Sequence, residues 1–376
     1  MKIFQNWTAF QKRYIPIIAS LSATFLISII LIFTLPTMTH NFSNQNNKTK
    51  SGWPIRLAAP YIDMSSWVEP TNAYSINGAP NLGKLYDDSG FRYFNLGFIN
   101  PDQTTPLADD GNIRWGWGGY YSLSKKGGES SAQYQGILTS LKNLRAKGGD
   151  FTISIGGQAG DAPWVVTQNV NALQNFYLDI VGTYELKRLD LDIEMSNQDE
   201  DQNIVNAQAI KKVQDKTGVE ITLTIPIMPS GWEQKQIKII NAYLDAGVDI
   251  ACINSMTMCY GTGTFEGEDY GEASVRAITN SISQLKTLYS NHGYELTDEQ
   301  AYLKTGATMS IGYESNLYPV FTTEMASTIV EDAKDKNYGL VSMWSMGRDA
   351  KLENNSGILA AFEFSKILND YNNDTN

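Results

Sequence analysis

The stretch RLDLDIE, residues 188–194, decides the fold, because apolar and acidic side chains alternate along it. Successive side chains of a β-strand point to opposite faces, so Asp190, Asp192 and Glu194 would share one face and the apolar residues the other. Buried parallel strands normally read as continuous apolar runs. An apolar face packed on helices and an acidic face turned inward therefore indicate a barrel strand, although a half-exposed strand with a wet acidic face gives the same pattern.

Short β-rich runs recur from residue 53 onward, and amphipathic segments separate them. Those segments keep the three-to-four-residue spacing of a helix with one buried face, as at Leu173, Phe176 and Ile180. Strands alternating with helices predict βαβ units and a parallel sheet. Eight such units in roughly 320 residues predict an α/β fold, a (β/α)8 barrel over residues 53–376. The strand-like runs are Ile55–Tyr61, Phe91–Ile99, Phe151–Ile155, Arg188–Glu194, Glu220–Ile225, Ile250–Met258, Thr305–Ile311 and Gly339–Trp344.

Residues 15–35 form an uncharged, mostly apolar run. As a helix they would span roughly 31 Å, which is enough to cross a bilayer. Lys2, Lys12 and Arg13 precede the run, so the N-terminus is expected in the cytoplasm. We expect residues 1–38 to be a transmembrane anchor, or a signal segment if cleaved, and residues 39–52 to be a linker. Both interpretations export the barrel, as a single-pass protein of the cell membrane or as a secreted protein.

Composition excludes several classes of function. The chain has 376 residues, of which 40 are acidic and 29 basic, so it lacks the basic footprint of a nucleic-acid-binding protein. Its two histidines, His40 and His292, argue against a histidine-ligated zinc site and a Ser-His-Asp triad. No glycine-rich nucleotide loop follows an early strand, and no cofactor is expected. Cys252 and Cys259 would lie roughly 23 Å apart on one extended segment, too far to form a disulfide.

Three inward carboxyl groups on one strand would be costly unless they were hydrogen-bonded or protonated, and such a cost is usually retained at a functional site. Glu194 ends the strand, at the barrel mouth, with Asp192 and Asp190 below it. Crowded carboxyl groups cannot all ionise, so at least one should keep its proton near neutral pH. A protonated Glu194 would suit a general acid for a glycosidic oxygen, with Asp192 sharing its proton.

Two long loops, residues 63–90 and 100–130, would follow the first two strands at the end where barrel enzymes build their sites. Flat aromatic faces stack on pyranose rings, so aromatic loops suit a sugar-binding cleft. Packing within the loops is the simpler interpretation for any single one of these side chains. The aromatic residues are Trp67, Tyr74, Trp115, Trp117, Tyr120 and Tyr121.

Four motifs at predicted strand ends resemble those of glycoside hydrolase family 18, the chitinases and their relatives. Asp190-x-Asp192-x-Glu194 resembles the last three acids of the family's DxxDxDxE signature, and residues 154–157, Ser-Ile-Gly-Gly, resemble its SxGG motif. Residues 256–261, Met-Thr-Met-Cys-Tyr-Gly, are similar to the Met-Thr-Met-Asp-Tyr-Gly of a bacterial branch. Residues 343–349 resemble the motif of strand eight. The resemblance covers roughly residues 53–370.

The resemblance implies hydrolysis of β-1,4 linkages in chitin or another polysaccharide that contains N-acetylglucosamine, with retention and with the substrate's acetamido oxygen as nucleophile. Glu194 would be the catalytic acid, and Asp192 would orient the acetamido group. Asp190 would hold Asp192 from below, Trp344 would form the floor under the sugar, and Tyr260 would donate a hydrogen bond to the acetamido group. The substrate-binding positions that the resemblance implies are Asp190, Met256, Met258, Tyr260 and Trp344.

Two positions depart from the family pattern. Lys187 stands at the position of the first Asp of the signature, and Cys259 replaces the Asp expected after Met258. A thiol is a weak hydrogen-bond donor, so the second departure keeps open a catalytically silent carbohydrate-binding barrel. Two further interpretations stay open, namely Cys259 as a nucleophile and a glycosidase that uses two carboxylates in the ordinary way.

Overall fold

The structure is a computed structural model that describes residues 48–374. The expected membrane segment, residues 1–38, and most of the expected linker, residues 39–52, lie outside the described residues. Within residues 48–374, no helix combines the length and the apolar character needed to cross a membrane.

Twelve strands occur within the described residues, and most of them alternate with helices. They are β1 (Leu57–Ala58), β2 (Tyr61–Asp63), β3 (Ser75–Ile76), β4 (Ala79–Pro80), β5 (Tyr93–Pro101), β6 (Trp115–Trp117), β7 (Asp150–Gly156), β8 (Arg188–Asp192), β9 (Glu220–Pro226), β10 (Ile250–Met256), β11 (Thr305–Ser310) and β12 (Leu340–Trp344).

The α-helices of the same part of the chain are α1 (Leu82–Ser89), α2 (Ala132–Ala146), α3 (Pro163–Val166), α4 (Val170–Tyr184), α5 (Glu200–Thr217), α6 (Gln234–Asp245), α7 (Tyr270–Asn291), α8 (Asp298–Leu303), α9 (Thr323–Lys336), α10 (Met346–Asp349) and α11 (Glu363–Asp374). Short 3-10 turns lie at Tyr121–Leu123, Met195–Gln198 and Thr262–Thr264.

Parallel pairing follows the chain from one strand to the next and returns to its start. The order is β1-β12-β11-β10-β9-β8-β7-β5-β2, with β6 antiparallel on β5. β1 pairs with β12, and β2 pairs with β5. Because β1 and β2 are two pieces of one segment, separated only by Ala59 and Pro60, the sheet closes on itself. The predicted α/β fold with eight parallel strands alternating with helices is confirmed.

The two faces of β8 show how the sequence builds the barrel wall. Leu189 and Leu191, with Ile193 just beyond the strand, are fully buried in the apolar core shared with the helices. Burying each such side chain contributes about 1.5–3 kcal/mol. The opposite face carries Asp190 and Asp192, which are also buried. The barrel interior is therefore polar where these acids lie, and the hydrophobic core surrounds it.

The N-terminal ends of β8 and β9 hold a buried ion pair. Arg188 Nε lies 3.2 Å from Glu220 Oε2, and both side chains are about 10% exposed or less. The Arg188 guanidinium also lies over the Trp53 ring, 5.0 Å from its centroid. The Ser51 backbone N–H donates to Glu220 Oε1 at 2.8 Å, and Lys50 Nζ lies 3.1 Å from an Asp249 carboxylate oxygen. The last residues of the expected linker therefore pack on the barrel.

Replacing Glu220 with alanine should lower the free energy of unfolding by about 3 kcal/mol, because Arg188 would remain buried without its partner. Glu233→Ala is the matched control, since Glu233 is exposed and its side chain caps no helix N–H group. Urea unfolding followed by circular dichroism measures both variants. Equal stability of the two variants would show that the buried pair does not support the fold.

Candidate active site

The acids of β8 stand in a ladder that leads from the barrel interior to its mouth. Asp190 and Asp192 lie within β8, and Glu194 follows at the C-terminal end of the strand. Asp190 is 1% exposed and Asp192 is 5% exposed, whereas Glu194 is partly exposed. The alternation read from the sequence therefore places one carboxyl group at the surface of the cleft and two beneath it.

Asp190, the lowest acid, is held by three hydroxyl donors from three other strands. Ser154 Oγ and Thr224 Oγ1 each donate to it at 2.7 Å, and Tyr61 Oη donates at 2.8 Å. Burial raises the pKa of Asp190, and these hydrogen bonds oppose that rise. Asp190 is therefore satisfied within the barrel and does not reach the cleft surface.

Asp192 has one carboxyl oxygen without a hydrogen-bond partner among the described residues. Burial raises its pKa well above the usual range, and the neighbouring charges of Glu194 and Asp190 raise it further. Its Oδ1 atom is buried and accepts no hydrogen bond from any described residue. A buried oxygen of this kind loses its hydration without compensation, so the site is suited to a ligand that supplies a donor.

Glu194 holds its proton up to neutral pH. Burial and the charge of Glu314 raise its pKa to about 7. The carboxylate of Glu314 accepts a hydrogen bond from Arg348 Nη1 at 2.7 Å and another from Ser310. Burial raises the pKa of Glu314, but the contacts with Arg348 and Ser310 outweigh it and the pKa is lowered. A fixed negative charge therefore stands near a neutral Glu194.

The glycines of the SxGG motif allow β7 to approach the end of β8 closely. Gly156 has a φ of +108°, and a Cβ atom there would lie 2.3 Å from the Asp192 carbonyl oxygen. That same oxygen accepts a hydrogen bond from the Gly157 N–H at 3.0 Å. Only a residue without a side chain fits such a contact.

The segment after β10 brings Met258 and Cys259 to the same end of the barrel. Met256 is buried within the strand, Met258 is partly exposed, and Cys259 is exposed with a φ of +59°. Although the residue is exposed, the protein around its thiol removes part of its hydration, and this loss, with the charges of Glu314 and Glu194, raises the pKa of Cys259 to about 11. Cys259 therefore stays a neutral thiol near neutral pH, which argues against it as a nucleophile. Cys252 and Cys259 are both free, as the sequence predicted.

Of the two aromatic residues expected to contact substrate, Trp344 is partly exposed and Tyr260 is fully buried. Trp344 ends β12, is partly exposed, and stacks on Phe98 with ring centroids 5.7 Å apart. Tyr260 has no exposed surface, because its ring packs against Phe265 and Tyr270 at 6.4 and 5.3 Å. The expectation that Tyr260 donates to a substrate is corrected, since its hydroxyl is enclosed by the protein.

The loop aromatics divide into core and surface residues. Trp117 is fully buried and donates from Nε1 to Tyr184 Oη at 3.0 Å, and Trp115 donates to Asp179 at 3.0 Å. Trp67 and Tyr120 are 56% and 51% exposed. Packing within the loops explains the first pair, and the second pair remains available to a sugar chain.

Several site residues were missed in the sequence. Tyr61 and Thr224 bind Asp190, and the Asn254 amide donates to both of their hydroxyls at 3.1 and 3.0 Å. The available signal was a polar residue at an inward position of an otherwise apolar strand. Arg348 lies within the motif at residues 343–349, but its partner Glu314 carried no comparable signal, because only the folded loops bring the two together. No cluster of three or more metal-ligating side chains occurs in residues 48–374.

Two curated proteins resemble the chain in sequence. A probable bifunctional chitinase/lysozyme of Escherichia coli (strain K12) is 32% identical over 314 residues, which are 80% of this chain and 32% of that protein. Endochitinase 11 of Metarhizium anisopliae is 31% identical over 317 residues, which are 80% of this chain and 54% of that protein. The chain thus spans about a third and about half of these relatives. No protein-family profile matches it.

Solved structures share the fold. The catalytic domain of a hyperthermophilic chitinase from Pyrococcus furiosus superposes with a TM-score of 0.69 at 24% identity, over 86% of this chain and 96% of that one. A group IV chitinase from Ostrinia furnacalis superposes with a TM-score of 0.51 at 12% identity, over 84% of this chain and 99% of that one. The chain resembles the chitinases of glycoside hydrolase family 18, as its motifs indicate.

Gly156→Ala should lower the free energy of unfolding by about 2 kcal/mol more than Gly160→Ala does. Both glycines have positive φ, but nothing lies within 4 Å of a Cβ atom at Gly160, so the difference isolates the contact with Asp192. Thermal unfolding of both variants measures it. Equal destabilisation of the two variants would mean that the ends of β7 and β8 can move apart without loss of stability.

Proposed function

We propose that the chain is a chitinase-like glycosidase that hydrolyses β-1,4 linkages in polymers of N-acetylglucosamine. The observation that carries the proposal is the acid ladder of β8, with a protonated Glu194 at the cleft and an unpartnered Asp192 oxygen beneath it. Asp192 lacks a donor, and an acetamido N–H is a donor of the right size to reach a recessed acceptor. The sequence relatives named above support the same activity.

In the first step, Glu194 gives its proton to the glycosidic oxygen, and the bond from that oxygen to the anomeric carbon breaks. The acetamido oxygen of the same sugar attacks the anomeric carbon, so a cyclic oxazolinium forms. Asp192 accepts the acetamido N–H on its unpartnered oxygen and so holds the acetamido group in the orientation for attack. The fixed negative charge of Glu314 stabilises the positive charge of the oxazolinium.

In the second step, Glu194 is a carboxylate and takes a proton from water, which attacks the anomeric carbon and reopens the ring. The configuration is retained because two displacements occur at one carbon, and Glu194 ends the cycle protonated. Asp190 does not meet the sugar; its three hydroxyl donors hold the strand beneath Asp192. Trp344 stands at the mouth, where its partly exposed ring forms a floor for the reacting sugar.

Two rival functions are less consistent with this geometry. A two-carboxylate mechanism needs a second acid beside the anomeric carbon. Asp192 is buried below the surface, and Glu314 is held in an ion pair. A silent carbohydrate-binding barrel is suggested by Cys259, but Glu194 and Asp192 are both in place. Cys259 cannot supply the carboxylate of the Asp expected at its position, but Glu314 places another carboxylate near Glu194.

Glu194→Gln should lower kcat on N-acetylglucosamine oligomers by about 10²- to 10⁴-fold, because the leaving oxygen loses its proton donor. Oligomer binding should persist. For the unchanged chain, kcat/KM should fall above about pH 7, since the pKa of Glu194 is about 7 and only the protonated form is active. Product chromatography across pH measures both effects.

Glu299→Gln is the matched control, because Glu299 is exposed on α8, away from the acid ladder. Oligomers whose acetamido groups are replaced by free amines should be bound but not cleaved. Their hydrolysis would establish the two-carboxylate mechanism. If the unchanged chain binds the N-acetylglucosamine oligomers but releases no more product than Glu194→Gln does, the barrel is a catalytically silent carbohydrate-binding protein.

We also propose that the barrel acts outside the cytoplasm, held at the cell membrane or secreted. The support is the apolar run at residues 15–35 with basic residues before it. Protease added to intact cells should remove the barrel of an anchored chain, and the culture medium should contain a secreted one. Protection of the chain until the cells are lysed would contradict both.

A further inference from the structure

Asn197 lies three residues after Glu194, in the 3-10 turn Met195–Gln198, and is fully buried. Its side-chain Nδ2 donates to the Gly157 carbonyl oxygen at 3.0 Å, and its Oδ1 accepts from the Ala162 N–H at 3.1 Å. One amide group therefore joins the turn after β8 to both ends of the loop after β7.

The backbone of Asn197 is held as firmly as its side chain. Its N–H donates to the Glu194 carbonyl oxygen at 2.9 Å. Its own carbonyl oxygen accepts from Trp164 Nε1 and from Asn203 Nδ2, each at 2.8 Å. The segment that leaves Glu194 is thus fixed from the loop after β7, from α3 and from α5.

No hydrogen bond among the described residues fixes the side chain of Glu194, so its direction depends on how the backbone on both sides of it is held, by the Ile193 N–H on the Thr224 carbonyl oxygen before it and by Asn197 after it. Burial and a neighbouring charge account for its raised pKa, and no hydrogen bond from a described residue to its carboxyl group contributes. The next residue, Met195, is exposed and turns the chain with a φ of +47°. The direction of the Glu194 carboxyl group therefore follows from where its backbone is anchored.

We propose that Asn197 is a positioning residue for the reaction, which holds Glu194 at the distance and angle that proton transfer to the glycosidic oxygen requires. The inference rests on the function proposed above. Asn197 is enclosed and does not touch substrate, so its effect passes through the Glu194 backbone and the loop after Gly157.

Asn197→Ala removes both side-chain hydrogen bonds and leaves the Ala162 N–H and the Gly157 carbonyl without their partner. Trp164→Phe is a milder variant, which keeps the ring but removes the donor to the Asn197 carbonyl. Asn206→Ala is the matched control. Asn206 is an equally buried asparagine on α5 that accepts from Tyr177 Oη and donates to Tyr243 Oη, each at 2.7 Å, and it reaches Asn197 only indirectly, through Tyr243 and Asn203.

The first test is kinetic and uses the full chain, with rates divided by the folded fraction from unfolding curves. Asn197→Ala should lower kcat by about 100-fold, because displacement of a catalytic group by about 1 Å has that effect. KM should stay within a few-fold of the unchanged chain. Trp164→Phe should lower kcat less, and Asn206→Ala should leave it nearly unchanged. Equal loss of kcat in Asn197→Ala and Asn206→Ala would overturn the proposal.

The second test needs no catalysis, so it separates this inference from failure of the proposed function. Carboxyl-carbon NMR of the labelled chain follows the titration of Glu194. In Asn197→Ala its pKa should move from about 7 toward the ordinary glutamate value of 4.5, as the carboxyl group turns to solvent. The Asn206→Ala control should keep the value of the unchanged chain. An unmoved pKa in Asn197→Ala would overturn the proposal, even if the chain cleaves no polysaccharide.

Discussion

The rest of the site depends on one constraint: two carboxyl groups are buried inside the barrel with a third directly above them. Moving a charged carboxylate out of water is far too costly to repeat on one short strand. The structure meets this constraint differently at each level. Asp190 receives three hydroxyl donors, Asp192 has one oxygen without a partner, and Glu194 reaches the cleft with its proton still bound. The three carboxyl groups therefore lie in three different environments, and each has a different role in the site.

Burial alone, however, does not fix the direction of the Glu194 carboxyl group. The pKa of Glu194 comes from burial and from the charge of Glu314, and Glu194 keeps that pKa only while the backbone that Asn197 anchors holds its carboxyl group in the buried direction. Glu314 is itself fixed by Arg348 and Ser310. The machinery around one acid is therefore distributed over the loops that follow β7, β8, β11 and β12.

The sequence predicted the features that follow from the two-residue period of a β-strand and from the order of strands and helices along the chain. Alternation at residues 188–194 placed the acids correctly, and eight β-rich runs matched the eight barrel positions, because strand geometry has a fixed period. Tyr260 was misplaced, since a motif gives a residue's position but not the direction of its side chain after a turn. Trp117 was indistinguishable from Trp67 for the same reason. Glu314 meets Arg348 only in the folded chain, so neither spacing nor composition could reveal its place beside Glu194.

The first barrel strand, divided into β1 and β2, both closes the barrel and contributes a side chain to the site. Tyr61 sits just after the break at Ala59 and Pro60, and its hydroxyl crosses the interior to Asp190 and Thr224 on β8 and β9. A barrel that had not yet docked this strand would have an open seam and an Asp190 short of one donor. The same strand therefore closes the barrel through its pairing with β5 and supplies one of the three donors to the buried acid.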